Sequence, residues 1–322
     1  MAITLAEAKV GMANHVEQAV IDMFQRSSLL LDRLTFDDAI SPGTGGSTLT
    51  YGYVQLLTPS TAAVRTINSE YTAGEAKRTE LTTRAIIMGG SFEVDRVLQN
   101  TSGAIDELAF QAEQKVKATS NFFHNCVING TSAATGAGYV VNTFDGLKKL
   151  LTGTANEFTS AVDLSTEANM NANANAMIDE VDAILAAIDG TPDLLLMNKE
   201  MLLKLRSVAR RAGYYERVRD DFGRWVETFA GVPMLDLGKF YNGTTSVDVV
   251  ATASKQTDIY AVSLGLDGFH GISPAGGKVI QTYMPHMSAP GAVKKGEVEL
   301  VAGVALKNTL KASVLKGITV QA

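Results

Sequence analysis

At 322 residues, with 46% hydrophobic and 19% charged content, the chain has the length for one large or two modest domains. Its composition excludes disorder over most of that length. A formal net charge of −6 argues against a dedicated nucleic-acid binder, which needs clustered cations to displace phosphate counterions. It leaves room for a protein that contains DNA without gripping it. Cys126 is the single cysteine, so an internal disulfide and a cysteine-rich zinc site are excluded and assembly in a reducing cytoplasm is expected. Residues 1–12 show neither the basic head nor the apolar run of a secretory signal. No segment approaches about 18 uninterrupted apolar residues, so no membrane partner is expected.

Residues 13–34 read as an amphipathic helix, with Val16, Val20, Met23, Phe24 and Leu31 at helical spacing. Such a helix either packs on its own domain or forms an arm docked on a neighbour. Pro42, Gly43, Gly45 and Gly46 break it. From 47 to 57, Leu49, Tyr51, Tyr53 and Leu57 nearly alternate and predict a strand. A second extended stretch runs from 80 to 94, and the polar connection between the two carries Glu70, Glu75, Lys77, Arg78 and Glu80. The simplest geometry is a long two-stranded arm with a charged tip. A lone hairpin is marginal in water, so it must lie on something. The Gly43–Gly46 stretch and the Gly89, Gly90 pair suit hinges for an arm that swings onto another subunit.

Residues 104–128 predict the longest helix, with Ile105, Leu108, Ala109, Ala112, Val116, Phe123 and Val127 on one stripe and Asn129, Gly130 as its stop. At about 25 residues it would be close to 40 Å long. The run Phe144, Asp145, Gly146, Leu147 opens an α/β region. Helices are predicted over 169–189 and 199–212, with a buried strand at 194–197 and further strands near 226–229, 232–237, 247–251 and 258–264. From 265 onward the chain reads as all-β, with alternation at 278–284, 297–307 and 310–320.

Residue patterns that carry chemistry are missing. The histidines, His15, His124, His270 and His286, are scattered, without HExxH or an i,i+4 pair. Cys126, between Asn125 and Val127 near the end of the long helix, reads as a small core hydrophobe. The glycine-rich stretches match neither a P-loop nor a dinucleotide fingerprint, and there is no GxSxG elbow. Neither a catalytic residue nor a cofactor nor a metal is expected.

One charge cluster stands out. Arg206, Arg210, Arg211, Arg217, Arg219 and Arg224 are interleaved with Glu216, Asp220, Asp221 and Glu227 and joined by Tyr214, Tyr215, Phe222 and Trp225. It reads as a protein interface, where Arg, Tyr and Trp are enriched, as a solvated mixed-charge face, or as a nucleic-acid patch. The near balance of signs favours the interface. The candidate intersubunit contacts are therefore Glu70, Glu75, Lys77, Arg78 and Glu80 on the arm, with Arg210, Arg211, Arg217, Arg219, Asp220, Asp221 and Trp225 in the cluster.

The order of elements resembles the major capsid proteins of tailed phages, the Hong Kong 97-like fold. Arg65, Thr66, Ile67 and Asn68 followed by Tyr71 resemble the R-x-I-N-x-x-Y stretch of the extended loop in some members. Phe144–Leu147 is similar to the F-D-G-L that opens their axial domain. Phe229–Met234 resembles their G-x-P-V strand, with Met234 where Val is usual, and 258–265 followed by Gly268 and Phe269 resembles the closing strand. The resemblance spans nearly the whole chain. It implies an α+β capsid fold with an N-terminal arm (1–40), an extended E-loop hairpin (41–95), a P domain with a long spine helix (96–140), an α/β A domain (141–265) and P-domain return strands (266–322). Some members join subunits through a Lys–Asn isopeptide bond. Lys77 lies in the corresponding region with Asn308 as a candidate partner, but no motif identifies the pair.

The resemblance further implies a non-enzymatic head protein that self-assembles through hexamers and pentamers into an icosahedral shell around double-stranded DNA, held without sequence-specific binding. It is assembled in the host cytoplasm and resides in the virion. A separate scaffolding protein is expected, because only about a dozen residues precede the first predicted helix, together with a portal protein and, optionally, a decoration protein. Two alternatives stand beside this reading: an encapsulin nanocompartment shell, and a cytoplasmic α/β enzyme whose site is unrecognised.

Overall fold

The computed structural model describes residues 29–38, 40, 49–97, 107–213, 216–219, 225–274, 280–286 and 288–321, with backbone alone at 29, 32, 216–219 and 225. Of the N-terminal helix predicted over 13–34, only its end falls inside this range, and there the chain is helical: α1 (Leu29–Arg33). The proposed hinge at 43–46 lies outside the described residues. The two-residue β1 (Phe36–Asp37) precedes β2 (Thr50–Thr58), β3 (Lys77–Arg84) and β4 (Ile86–Asp95), and then the long helix α2 (Glu107–Asn129). Next come α3 (Leu147–Leu150), β5 (Glu157–Thr159), α4 (Glu167–Ala186), β6 (Leu194–Met197) and α5 (Lys199–Ala212). Strands then dominate: β7 (Glu216–Arg219), β8 (Trp225–Phe229), β9 (Val232–Asp236), β10 (Lys239–Tyr241), β11 (Ser246–Asp248) and β12 (Gln256–Val262). The chain closes with β13 (Phe269–Ile272), β14 (Ile280–Tyr283), β15 (Val293–Leu306) and β16 (Ala312–Thr319).

A mixed seven-stranded sheet runs in the order β5-β16-β12-β6-β9-β8-β7. Its central strand β6 is an unbroken apolar run because it is buried on both faces. Leu195 and Met197 join a core with Met177, Val181 and Ile184 of α4 and Leu205 and Val208 of α5. Leu194 and Leu196 point the other way, into a second core with Phe123 and Val127 of α2 and Leu300, Ala302 and Val304 of β15. The helices over this sheet start where capping residues put them. Thr166 Oγ1 accepts from the Asn169 amide at 3.2 Å and Asn198 Oδ1 from the Met201 amide at 2.8 Å. Gly213, at φ 77°, ends α5 in the left-handed conformation that suits glycine.

Helix α2 has 23 residues and is about 35 Å long. Its character changes along its length. The first half presents a narrow stripe, Leu108, Ala112 and Val116, to Phe92 and Val298. The second half is buried on nearly every side, from Phe123 to Ile128 and including His124 and Asn125. The glycine of the Phe144–Leu147 run is explained by this burial: a Cβ on Gly146 would stand 2.6 Å from the Cys126 carbonyl oxygen and 2.8 Å from that of Ile128.

The second sheet follows β1-β13-β15-β14, with β4 on the open side of β15. Here the expectation of one long hairpin from 47 to 94 is corrected. Among the described residues β2 pairs only with β3, whereas β4 pairs with β15 from Ile86 opposite Ala302 to Asp95 opposite Val293. The division falls at Ala85. Before it, the run 77–84 is polar apart from Leu81 and stays largely exposed. After it, Met88, Phe92 and Val94 alternate inward and are captured by the core. The Gly89, Gly90 pair is therefore no hinge but mid-strand. Gly89 sits at φ 150°, and a Cβ there would lie 2.0 Å from the Val298 carbonyl oxygen.

Candidate assembly surfaces

What remains of the hairpin is a shorter arm of β2, β3 and the connection 59–76. Its root is fixed by the alternation of β2. Tyr51, Tyr53 and Gln55 face the body, and the Tyr51 hydroxyl donates to Asp37 at 3.0 Å. Tyr53 donates to the Leu306 carbonyl at 3.1 Å and Gln55 to that of Lys307 at 3.0 Å. Thr83 of β3 adds a hydroxyl donated to Val304 O at 3.0 Å. The Lys307 ammonium stands 5.5 Å from the Tyr51 ring centroid, a cation–π contact.

The opposite face of the arm is exposed and carries Val54 beside Glu80 and Leu56 beside Arg78. Farther out, Val64 is 99% exposed and Ile67 91%. Scattered surface apolars are ordinary, but a row of them on a projecting two-stranded element marks a contact surface. Glu70, Glu75, Lys77, Arg78 and Glu80 are all exposed, as a charged rim requires. The apolar row is what sequence reading missed. Its signal was there: in β2 both the inward set, Tyr51 and Tyr53, and the outward set, Val54 and Leu56, are apolar, yet among the described residues β2 has one strand beside it.

The arginine cluster is divided. Arg206 of α5 reaches Glu227 of β8, with Nε and Nη2 each 2.7 Å from Oε2. Arg211 reaches α4, contacting the Asn171 side chain and lying 3.6 Å from Glu167. Both brace elements within one subunit. Arg210 lies on the exposed side of α5. The backbone places Arg217 and Arg219 on β7, the edge strand of the seven-stranded sheet, with Trp225 opposite Arg219 on β8. Asp220 and Asp221 fall outside the described residues.

Titratable groups in the interior belong to the core. Burial pushes the Cys126 thiol up to about 12 and the His124 imidazole down to about 4. Burial also raises the Asp258 carboxyl, although the Gly317 amide and Lys316 oppose the shift. Among the described residues, no group of three His, Cys, Asp or Glu side chains is placed to hold a metal ion. No described helix is long and apolar enough to cross a membrane.

An anchored arm, a long helix packed against two sheets and a two-sided α/β layer make up the fold, and solved structures share it. The holo-SrpI encapsulin of Synechococcus elongatus superposes with a TM-score of 0.66 at 15% identity, covering 100% of this chain and 98% of that one. A structure from Mycobacterium phage Ogopogo gives 0.60 at 15%, covering 98% and 99%. The capsid of an empty GTA particle gives 0.57 at 12%, covering 98% of both chains. These likenesses establish the Hong Kong 97-like fold. No curated protein matches the chain in sequence. The SU10 major capsid protein family model matches residues 10–232, and the chain belongs to that family. It is a phage major capsid protein, resident in the capsid of the virion, and capsid shells assemble from copies of it.

Proposed function

We propose that the subunit closes into an icosahedral shell through hexamers and pentamers, enclosing double-stranded DNA that it contains without sequence-specific contacts. In this reading 1–40 is an N-terminal arm, 41–95 the E-loop, 96–140 the P domain with its spine helix, 141–265 the A domain and 266–322 the return strands of the P domain. The role is structural and not catalytic. The observation that carries it is the arm, rooted on Asp37 of β1 through Tyr51 and on Leu306 and Lys307 at the end of β15 through Tyr53 and Gln55, and apolar on the face turned away from its own subunit. Such a face gains burial only on a neighbour. Glu70, Glu75, Lys77, Arg78 and Glu80 would border that contact. Arg210, Arg217, Arg219, Asp220, Asp221 and Trp225 would serve contacts between A domains, with Arg211 holding α5 to α4 beside them. A separate scaffolding protein, a portal protein and a decoration protein are the further partners this reading calls for. Many moderate interfaces then close on each other by symmetry.

The second reading, an encapsulin-like compartment, is favoured by the TM-score of 0.66. Electron microscopy of particles purified after expression with the neighbouring genes separates the two. Shells that package DNA support the phage head, shells filled with protein cargo support the compartment, and a protein that forms no shell overturns both.

A further inference from the structure

Asparagine followed by glycine occurs twice in the chain, at Asn129–Gly130 and at Asn242–Gly243. Without a Cβ, the glycine leaves its backbone nitrogen open to the asparagine side chain, and the two pairs stand in opposite settings. Asn129 is the last residue of α2. Its Nδ2 donates to Asn125 Oδ1 at 2.8 Å and to the Val249 carbonyl at 2.7 Å. The Gly130 amide donates to the Cys126 carbonyl at 2.8 Å, and a Cβ on Gly130 would stand 2.4 Å from the carbonyl oxygens of Cys126 and Phe144. Side-chain amide and backbone nitrogen are both committed to the core there.

Asn242 and Gly243 lie in the turn between β10 and β11, and both are exposed. Gly243 has φ 97°, with open space where a Cβ would stand. The turn is held by the Asn242 amide donating to the Thr245 carbonyl at 3.1 Å and by the Tyr241 hydroxyl donating to the Gly243 carbonyl at 3.0 Å. Asn242 Oδ1 accepts from the Thr244 amide at 3.0 Å and from the Thr245 amide at 2.9 Å. Among the described residues no hydrogen bond holds the Gly243 amide. Two N–H donors thus converge on the oxygen that gathers negative charge when a nucleophile adds to Cγ, as in an oxyanion hole. We propose that Asn242 is a site of spontaneous deamidation, with water as the only reactant besides the chain. The Gly243 nitrogen loses its proton to hydroxide and bonds to Cγ. The Cγ–Nδ2 bond breaks, and Nδ2 takes a proton from water and leaves as ammonia, which closes a succinimide ring and regenerates the hydroxide. One water then opens the ring. Cleavage of the new N–Cγ bond gives aspartate. Cleavage at the Asn242 main-chain carbonyl gives isoaspartate, whose side-chain carbon enters the backbone. Either product puts a carboxylate at the turn, and for aspartate the Thr244 and Thr245 amides are in place to receive it. The change would therefore alter, with age, a hairpin packed against α2.

Peptide mapping of the full chain by mass spectrometry, after incubation at mildly alkaline pH, tests it. A second sample is held in urea, and isoaspartate is read by enzymatic methylation with a labelled methyl donor. In the folded chain Asn242 should convert at least about tenfold faster than Asn129, whose reaction waits for the core to open. In urea the two rates should converge, and Asn242 should be no faster there than in the folded chain. Asn242→Gln should abolish the isoaspartate signal of the peptide spanning β10 and β11. Equal rates at Asn129 and Asn242 in the folded chain would overturn the proposal. So would slower conversion of Asn242 in the folded chain than in urea, since the turn would then shield the amide. An undiminished signal in Asn242→Gln would place the reaction at another residue and overturn it as well.

Discussion

The imidazole of His270 meets the Tyr51 ring edge-on, with centroids 5.8 Å apart and planes at 78°. This contact ties the root of the arm to β13 at a fully buried position. His270 Nδ1 lies 3.3 Å from the Gly268 carbonyl, and Nε2 has no hydrogen-bond partner. The arm therefore stands on a histidine whose neutral form fits its site and whose cation does not.

A dependence on pH follows. Burial, the largest cause, lowers the His270 pKa below 6.5. Lys307 acts in the same direction, while the Gly268 carbonyl, Asp37 and Asp267 oppose it. His124 is lowered to about 4 by burial. For both groups the unfolded chain takes up protons first, so the stability they allow is whole above pH 6.5 and declines as pH falls below it. For His124 the decline amounts to about 3 kcal/mol by pH 4, at about 1.4 kcal/mol per unit. Urea midpoints of the subunit should fall steadily between pH 7 and pH 4.5. His270→Phe and His124→Leu should each show a shallower fall, and an unchanged slope in both would refute this assignment.

Removing the Tyr51 hydroxyl isolates one bond of the arm's root. Tyr51→Phe keeps the ring beside His270 and Lys307 but loses the bond to Asp37, which should destabilise the subunit by about 0.5–1.5 kcal/mol. Tyr51→Ala also removes a buried ring and should cost about 3–5 kcal/mol. Hydrogen exchange at 50–58 and 77–84 should quicken modestly in the first variant and strongly in the second. Equal exchange in both would mean that the ring does not hold the arm.

Gly89 shows where reading the sequence stopped short. The adjacent glycines look like a hinge, because flexibility is the usual use of such a pair. Only the partner strand shows that Gly89 is needed for its close approach to Val298. Gly89→Ala should therefore destabilise by more than about 2 kcal/mol and yield insoluble protein, while Gly153→Ala, with open space around it, bears only its φ strain. Comparable stability of the two variants would return Gly89 to the role of a hinge.

Local signals made other parts legible. Asn198 and Gly213 bracket α5 so clearly that its predicted bounds, 199–212, coincide with those observed. Strand β6 is marked by its apolar run. What stayed hidden depends on distant partners. The split at Ala85 is set by β15, more than two hundred positions away in the chain. That Arg206 and Arg211 are engaged within the subunit is set by Glu227 and Glu167, and spacing alone does not separate such arginines from ones that face a neighbour.

Arg217 and Arg219 are the pair to test for contacts between subunits, since β7 is a sheet edge. Reversing both to Glu should leave the subunit folded and reduce hexamers and pentamers by about tenfold or more. Free DNA should bind weakly before and after the change. Tight DNA binding with a steep salt dependence that the reversal abolishes would assign these arginines to phosphate contacts instead.

The arm itself gives the most direct test. Two paired strands bury one face at most, and here the inner face is taken by the subunit's own Leu306, Lys307 and Val304 carbonyls. The outer face, with Val54, Leu56, Val64 and Ile67, gains nothing until another surface covers it. Charge pairs at the rim are worth about 0–1 kcal/mol each, so single substitutions at Glu70, Glu75, Lys77, Arg78 or Glu80 should be mild. Replacing 66–80 with a short Gly–Ser bridge removes the tip and part of β3. The root bonds of Tyr51 and Tyr53 to the body would remain, so the shortened subunit should keep its thermal midpoint within a few degrees while failing to close into shells. In the intact protein, amides at 59–76 should exchange quickly in the free subunit, where few of them are hydrogen-bonded, and become protected on assembly. Normal particles from the shortened chain, or equal protection of the tip before and after assembly, would make the arm an ordinary part of one subunit.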